Sequence, residues 1–403
     1  MLDDVVMPGR RSYDVIVIGL GAMGSATAYQ LARRGVAVLG LEAFTPAHEL
    51  GSSGGLTRII RLAYFEHPSY VPLLKAAWQL WPEIERDADD TLMQVTGGLY
   101  VGARGSVVLE GSLASASEHG LDHELLDAAQ ARRRFPALVL DDEMAALYEP
   151  LAGILFPQRC IAAHLRLAER HGAELHFEER VMGWTTTGSD LAVTTAAGTY
   201  VTERLVVAAG PWLGQLTPEL QLPLQVERNA LFWFEPVAQP EALAADRLPV
   251  WIMEVDNAHA FYGFPTLPAA QPAAGRPGMP AQGAKVARHH GGKSVDPDHL
   301  DREATSADEA PVRDFISRYM PLADGRRLDA RVCMYTNTPD QNFILDFHPD
   351  DDRILVASPC SGHGFKFSNV IGQVAADLVL ERTTMFDVDF LSIRRFVGSP
   401  SPT

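Results

Sequence analysis

Tyr13-Asp14-Val15-Ile16-Val17-Ile18-Gly19-Leu20-Gly21-Ala22-Met23-Gly24 is the stretch that decides the fold. Residues 15–18 form an unbroken apolar run, the pattern of a strand buried on both faces of a parallel sheet. The glycine pattern Gly19-x-Gly21-x-x-Gly24 follows at once. It opens residues 25–34, rich in Ala, Gln and Leu, which read as a helix stopped by Gly35. Residues 36–41 give a second strand with Glu42 at its end, 23 residues after Gly19. Together these segments make a βαβ unit. In such a turn glycine permits the tight bend and close backbone approach, the helix start meets a pyrophosphate, and the acid accepts from a ribose hydroxyl. Strand, helix and acidic residue agree, so dinucleotide binding is predicted, and the charge of Glu42 disfavours a 2′-phosphate.

Outward from that unit, 403 residues at ~150 per domain suggest two or three cores. Residues 58–86 and 160–171 read as helices, and residues 174–181 as a strand. Residues 205–209 repeat the buried-strand pattern and run into Gly210-Pro211-Trp212. That Leu-Val-Val-Ala-Ala-Gly-Pro-Trp stretch resembles the second glycine-containing strand end of two-domain FAD enzymes and favours FAD over NAD. Residues 231–234, 250–255 and 260–264 are aromatic and β-branched runs that suggest an antiparallel sheet. Residues 267–283 are dominated by Pro, Ala and Gly and read as a surface loop placed to act as a lid. Residues 354–358 then return to a strand, which leads through Ser361-Gly362-His363-Gly364 into a helix over 366–381. The fold class expected is α/β (α+β overall). It joins a discontinuous Rossmann-like FAD-binding domain (12–92, 153–224 and 328–395) to a substrate domain on a mostly antiparallel sheet (93–152 and 225–327). Residues 1–11 form a loose tail.

Composition narrows the function classes. Apolar residues are 47% and charged residues 21%, as in globular chains. The net charge of −17 argues against a surface that grips nucleic acid phosphates. Of 34 basic residues all are Arg except Lys75, Lys285, Lys293 and Lys366. Three scattered cysteines (Cys160, Cys333, Cys360) make no disulfide framework or zinc site and fit a reducing, cytoplasmic compartment. The acidic start lacks the apolar stretch of a signal peptide, and no run approaches the ~18 apolar residues of a membrane span. The 13 histidines form no HxH or HExxH pair, and neither His289-His290 nor His119 with His123 is expected to hold a metal. Gly51-Ser52-Ser53-Gly54-Gly55 matches the GxSxG pattern of hydrolases. The irregular segment Thr45-Pro46-Ala47-His48 stands where that motif needs a strand, so a glycine-rich loop beside the cofactor is the better reading.

Three further stretches are more specific: Thr57-Arg58-Ile59-Ile60-Arg61 with Ala63-Tyr64, Val332-Cys333-Met334-Tyr335-Thr336 with Thr338, and Ser361-Gly362-His363-Gly364-Phe365-Lys366-Phe367. On these motifs the chain resembles the monomeric sarcosine oxidase and N-methyltryptophan oxidase family, within the glycine and D-amino-acid oxidase superfamily. The similarity extends over residues 13–395. It implies an FAD domain and a sheet-based substrate domain with the flavin between them. It also implies oxidation of a secondary amino acid to an imine that water hydrolyses, with O2 reduced to hydrogen peroxide, by a monomer acting on a small molecule.

The resemblance assigns roles residue by residue. Cys333 matches the cysteine that carries the flavin through a thioether. Arg61 and Lys366 match the pair that holds the substrate carboxylate, and two charge-assisted hydrogen bonds suit that task. Their charge also disfavours a protonated amine, which must be neutral to react. His289 and Tyr335 match substrate-contacting positions, Gly362 lies beside them, and Tyr262 and Met253 match with a spacing that differs by one. Lys285 matches the lysine that activates O2, where a cation stabilises developing negative charge. Arg58 matches a residue near the flavin ring. Ser52 and Val181 fall with the cofactor, and His363 and Gly364 suit the N1–C2=O end of a reduced flavin. Cys360, Arg288 and the length of the 267–283 loop depart from the family pattern and bear on pocket shape. The resulting expectation is an oxidase of N-methyl amino acids. A relative acting on N-methyltryptophan, proline or pipecolate is the nearest alternative, and a dehydrogenase or a non-catalytic flavin-binding protein stands further off.

Overall fold

The computed structural model describes residues 12–256, 259–267, 283–358 and 361–396. The expected tail at 1–11, nearly all of the expected lid at 267–283, and Cys360 lie outside the described residues. The predicted βαβ unit forms from strand Ser12–Ile18, helix Ala22–Ala32 and strand Val38–Leu41. The helix starts earlier than residue 25 because Gly21 itself is its N-cap. Strand Ser12–Ile18 lies parallel to Val38–Leu41 on one side and to Thr199–Val207 on the other. Glu174–His176 and Asp351–Ser358 extend the parallel set at its flanks. The unbroken run at 15–18 follows from this placement. Val15 and Val17 pack with Leu31, Ile161 and Val370 on the helical face, while Ile16 and Ile18 pack with Leu191, Val193 and Leu205 on the other. Both faces are dry, so alternation has no purpose there.

Two expectations about local structure need correction. Residues 58–86 are not one helix: Arg58–Ile60 is a strand paired with Gly153–Leu155, and the helix is Val71–Ala88. Pro72 sits in the first turn of that helix, where its missing N–H costs nothing, and so marks the start. Residues 174–181 are not one strand either. Glu178 takes the left-handed backbone conformation (φ 57), and the chain turns before a new strand, Val181–Thr187, begins.

Among the described residues the second sheet has nine strands and is antiparallel except where Val250–Asp256 runs parallel to Gly98–Ala103. Its central strands are Gln225–Phe234, Ala284–His289, His259–Phe264 and Val250–Asp256. Strand Arg327–Asn337 pairs with Gln225–Phe234 along its length. The boundary expected at 328 is therefore misplaced, because the strand bearing Cys333 and Tyr335 makes its hydrogen bonds in the substrate-side sheet. Helix Ser306–Tyr319 covers one face of this sheet over Phe232, Trp251, Met253, Phe261 and Val286. The opposite face presents Leu231, Trp233, Ala287, Cys333 and Tyr335. Among the described residues no helix is long and apolar enough to cross a membrane, and no group of three or more His, Cys, Asp or Glu is placed to hold a metal ion.

Candidate active site

A cavity of 520 Å³ joins the glycine turn of the first sheet to the second sheet on the face turned away from helix Ser306–Tyr319. At its first end lie Gly19, Gly21, Glu42, Ser52 and Val181. Gly19 has φ 84, and a Cβ there would meet the Ala208 carbonyl oxygen at 2.6 Å. A Cβ on Gly24 would overlap the Gly19 carbonyl, so these two glycines are required by the chain itself. Gly21 differs. A Cβ there meets no protein atom within 4 Å, and the helix it caps has no side-chain cap and no acid in its first turn. An anion-binding cradle is thus left open at the positive end of the helix. Glu42 is buried, with its carboxylate accepting from Leu20 N–H at 2.7 Å and Phe44 N–H at 3.1 Å. The Ser52 hydroxyl is buried in the same wall with no hydrogen-bond partner among the described residues. An open cradle, a fixed acid and an orphaned hydroxyl fit a dinucleotide such as FAD.

The other end gathers charge. Arg61 is 2% exposed, and its Nη1 donates to Ala63 O at 2.8 Å while Nη2 donates to both oxygens of Glu66 at 2.6 Å. Its guanidinium lies over the rings of Tyr64 and Phe65 at 4.2 and 4.4 Å. Glu66 is held below the usual carboxylate range by Arg61, His363 and Lys366 against the opposing effect of burial. Lys366 Nζ donates to His363 O at 2.7 Å, and burial, helped by Arg61, pushes its pKa down to about 7. His363 accepts from the Tyr64 hydroxyl at Nδ1 and donates from Nε2 to Gln341 O at 2.9 Å, a tautomer assigned from its partners. Burial pushes His363 down to about 4. Gly362 has φ 77 and lies against the ring of Tyr335, where a Cβ would come within 2.6 Å.

The second sheet closes the cavity with Ile252, Tyr262, Phe264, His289 and Tyr335. The Tyr262 and Tyr335 hydroxyls are hydrogen-bonded to each other, and burial raises both, Tyr262 to about 12. Burial, His290 and His363 hold His289 well below the usual histidine value, so its ring is neutral at neutral pH. Met253 does not reach this wall. It points into the core beneath helix Ser306–Tyr319, and its neighbour Ile252 lines the cavity instead. Successive strand residues face opposite sides, so the one-residue difference in spacing moves the assignment from Met253 to Ile252.

Lys285 and Cys333 lie behind that wall, close to Arg58. Lys285 Nζ donates to Gly55 O at 2.7 Å, to Thr57 O at 3.1 Å and to Thr57 Oγ1 at 3.0 Å. Burial and the Arg58 charge push its pKa well down, while these acceptors match the N–H groups of an ammonium. Arg58 lines the cavity and donates to the carbonyls of Thr57, Ser52 and Gly54, which fixes the glycine-rich loop at the cofactor end. Cys333 is buried with Leu231, Trp233 and Tyr335, and neither it nor Lys285 is among the cavity-lining residues, although Met334, Tyr335 and Thr336 are. Burial raises the Cys333 thiol, against the pull of Arg58 and Lys285.

Sequence reasoning missed Glu66, Ile252, Phe65 and Phe264. An acid five residues after Arg61 carries no signal until the chain folds back, and apolar wall residues look like core. Tyr64 stood in the quoted motif, but its bond to His363 spans 299 positions.

The fold and cavity define a two-part flavin-type oxidoreductase, with a dinucleotide turn at one end and buried cations facing an aromatic wall at the other. The chain belongs to the FAD dependent oxidoreductase (DAO) family, which residues 14–378 match. It is 42% identical to the monomeric sarcosine oxidase of Streptomyces avermitilis, over 97% of this chain and 99% of that protein. It is 33% identical to the N-methyl-L-tryptophan oxidase of Salmonella arizonae, over 95% of this chain and 99% of that protein. Among solved structures, the open form of the amino acid oxidase NikD superposes with a TM-score of 0.80 at 25% identity, covering 95% of this chain and 97% of that one.

Proposed function

We propose that this protein oxidises N-methyl amino acids, sarcosine or a close analogue first, at the C–N bond, releasing hydrogen peroxide. The observation that carries the reading is the pair of buried cations, Arg61 and Lys366, facing one cavity with an otherwise aromatic and aliphatic wall. The higher identity to a sarcosine oxidase than to an N-methyltryptophan oxidase supports a small side chain. FAD, held by the Gly19–Gly24 turn, Glu42, Ser52, Val181 and the His363–Gly364 turn, supplies two-electron acceptance from the amine and return of those electrons to O2.

The chain's own residues do the rest. Among the described residues Lys366 has one protein acceptor at its ammonium, which leaves donors for a carboxylate. Arg61 offers Nη2 to the same carboxylate once that atom leaves Glu66. The two cations disfavour the protonated amine, which leaves the nitrogen lone pair available. A neutral His289 orients the substrate by hydrogen bonding and stores no proton. Ile252, Tyr262, Phe264 and Phe65 exclude water around the reacting carbon. Cys333 is assigned the covalent bond to the flavin; burial raises its thiol, and the Arg58 and Lys285 charges act in the opposite direction. Lys285 is assigned the O2-activating charge.

A peroxide-coupled screen of the purified yellow protein at pH 8–9 tests the reading. Sarcosine, other N-methyl amino acids, proline and pipecolate are compared with their amides. Peroxide from N-methyl amino acids, and far less from the amides, is expected. Equal turnover of acid and amide would refute the carboxylate clamp.

A further inference from the structure

We infer that Glu149, which does not line the active cavity, is a positioning residue that sets the substrate-facing pose of Arg61. Glu149 ends strand Met144–Glu149 of the second sheet, opposite Gly98. It is 1% exposed. Its Oε1 accepts from the backbone N–H groups of Leu62 at 2.8 Å and Ala63 at 3.0 Å, and its Oε2 accepts from the Tyr100 hydroxyl at 2.6 Å. Every one of these partners is itself buried.

The consequence for Arg61 is direct. Ala63 is held from both sides, its N–H by Glu149 and its carbonyl by Arg61 Nη1 at 2.8 Å. The ring of Tyr100, fixed through its hydroxyl by the same carboxylate, lies 5.7 Å from the guanidinium carbon. Gly98 has no side chain to occupy the space of that hydroxyl. One edge of the guanidinium is therefore anchored, through Ala63, to a carboxylate in the second sheet. The other edge, Nη2, rests on Glu66 and is the one a substrate can take. Remove the Glu149 charge and the bend at 62–63 loses a charge-assisted pair of bonds, so Nη1 has no fixed partner and both edges drift. A residue that served packing alone would change all substrates alike.

The inference rests on the carboxylate-clamp reading, and the experiment separates the two. Glu149→Gln keeps the size of the side chain and one acceptor. KM for sarcosine is expected to rise about five- to tenfold, as a charge-assisted bond is exchanged for a neutral one. kcat for sarcosine, and both constants for sarcosine amide, are expected to stay within about twofold of the parent. Acetate, followed by its perturbation of the flavin absorbance, should weaken by the same factor as sarcosine. Glu149→Ala should exceed both effects, and if it fails to fold the Gln variant decides alone. Arg61→Met is measured in parallel. If Arg61→Met separates acid from amide and Glu149→Gln does not, the positioning role is wrong and the clamp stands. If Arg61→Met fails to separate them, the clamp falls and the role of Glu149 falls with it.

Discussion

The sharpest consequence of the charged end of the cavity is a pH dependence that belongs to one ammonium. Burial brings Lys366 to about 7, whereas Arg61 is pushed up, Glu66 down, His363 down to about 4 and His289 well below its usual value. Of these groups only Lys366 changes charge between pH 6 and 9. Acetate is a suitable ligand because it carries a carboxylate but no amine, and its own titration lies far below this window. Below pH 7 the ammonium is present and binding is tightest. Above it, each pH unit charges the binding step with about 1.4 kcal/mol of proton uptake, so Kd rises up to about tenfold per unit. The rise levels off when the neutral form binds as well as the reprotonated one. A charge-assisted bond contributes roughly 1.5–3 kcal/mol, which places the plateau about 10- to 150-fold above the low-pH value. Flavin absorbance titrations at constant ionic strength give Kd directly. A flat Kd from pH 6 to 9, or the same slope in Lys366→Met, would falsify the assignment. The stability sign is also fixed. The unfolded chain binds the Lys366 proton more tightly between about 7 and the ordinary lysine value, so this residue makes the fold more stable as pH rises through that window, and Lys366→Met removes the trend.

Three further perturbations test other parts of the site. Denatured protein should keep its yellow colour after acid precipitation and Cys333→Ala should lose it, while colour lost from the parent protein would remove the covalent link. Lys285→Met should slow the O2-dependent return of oxidised absorbance in stopped flow by about tenfold or more and leave anaerobic bleaching by sarcosine nearly unchanged, since the charge acts on O2; the reverse pattern refutes the role. Gly24→Ala should cost about 3 kcal/mol in denaturant melts because its methyl overlaps the Gly19 carbonyl. Gly21→Ala should melt near the parent yet carry little flavin, because its methyl fills only the open cradle.

Much of this was legible before the structure because the informative residues are local. The turn from Gly19 to Glu42 encodes strand, bend, helix and acid within one βαβ unit, with Gly19 and Gly24 required sterically and Gly21 left open toward a ligand. Arg61, His289 and Lys366 were legible through motif resemblance, and the structure brings all of them to one cavity. What failed to read was non-local or depended on parity. Met253 and Ile252 are adjacent, equally apolar and equally strand-like, and only the register with His259–Phe264 decides which one faces the cavity. Strand Arg327–Asn337 follows a helix and precedes the return to the nucleotide sheet, so its partner Gln225–Phe234, about a hundred positions earlier, left no local mark. Glu66 and Glu149 are acids in ordinary polar contexts, and their value arises from burial beside Arg61.

The scarcity of lysine acquires a physical meaning from these contacts. Arg58 and Arg61 use the guanidinium fork to hold several carbonyl and carboxylate oxygens at once, and so they build walls. Lys285 spends its donors on Gly55 and Thr57 and is pinned behind the wall. Lys366 gives one donor to His363 O and is the cation with capacity to spare. Lys75 and Lys293 lie at the surface, away from the cavity. Among the charged side chains that line the substrate end of the cavity, Arg61 and Lys366 stand against Glu66, while Glu149 lies behind Arg61 outside the lining, which leaves one more positive than negative charge facing a substrate. A single carboxylate neutralises it, and burying a second would leave an unpaired anion at high cost. The same charge balance that calls for an amino acid therefore argues against an acidic side chain, and it favours the small neutral substrates on which the functional reading rests.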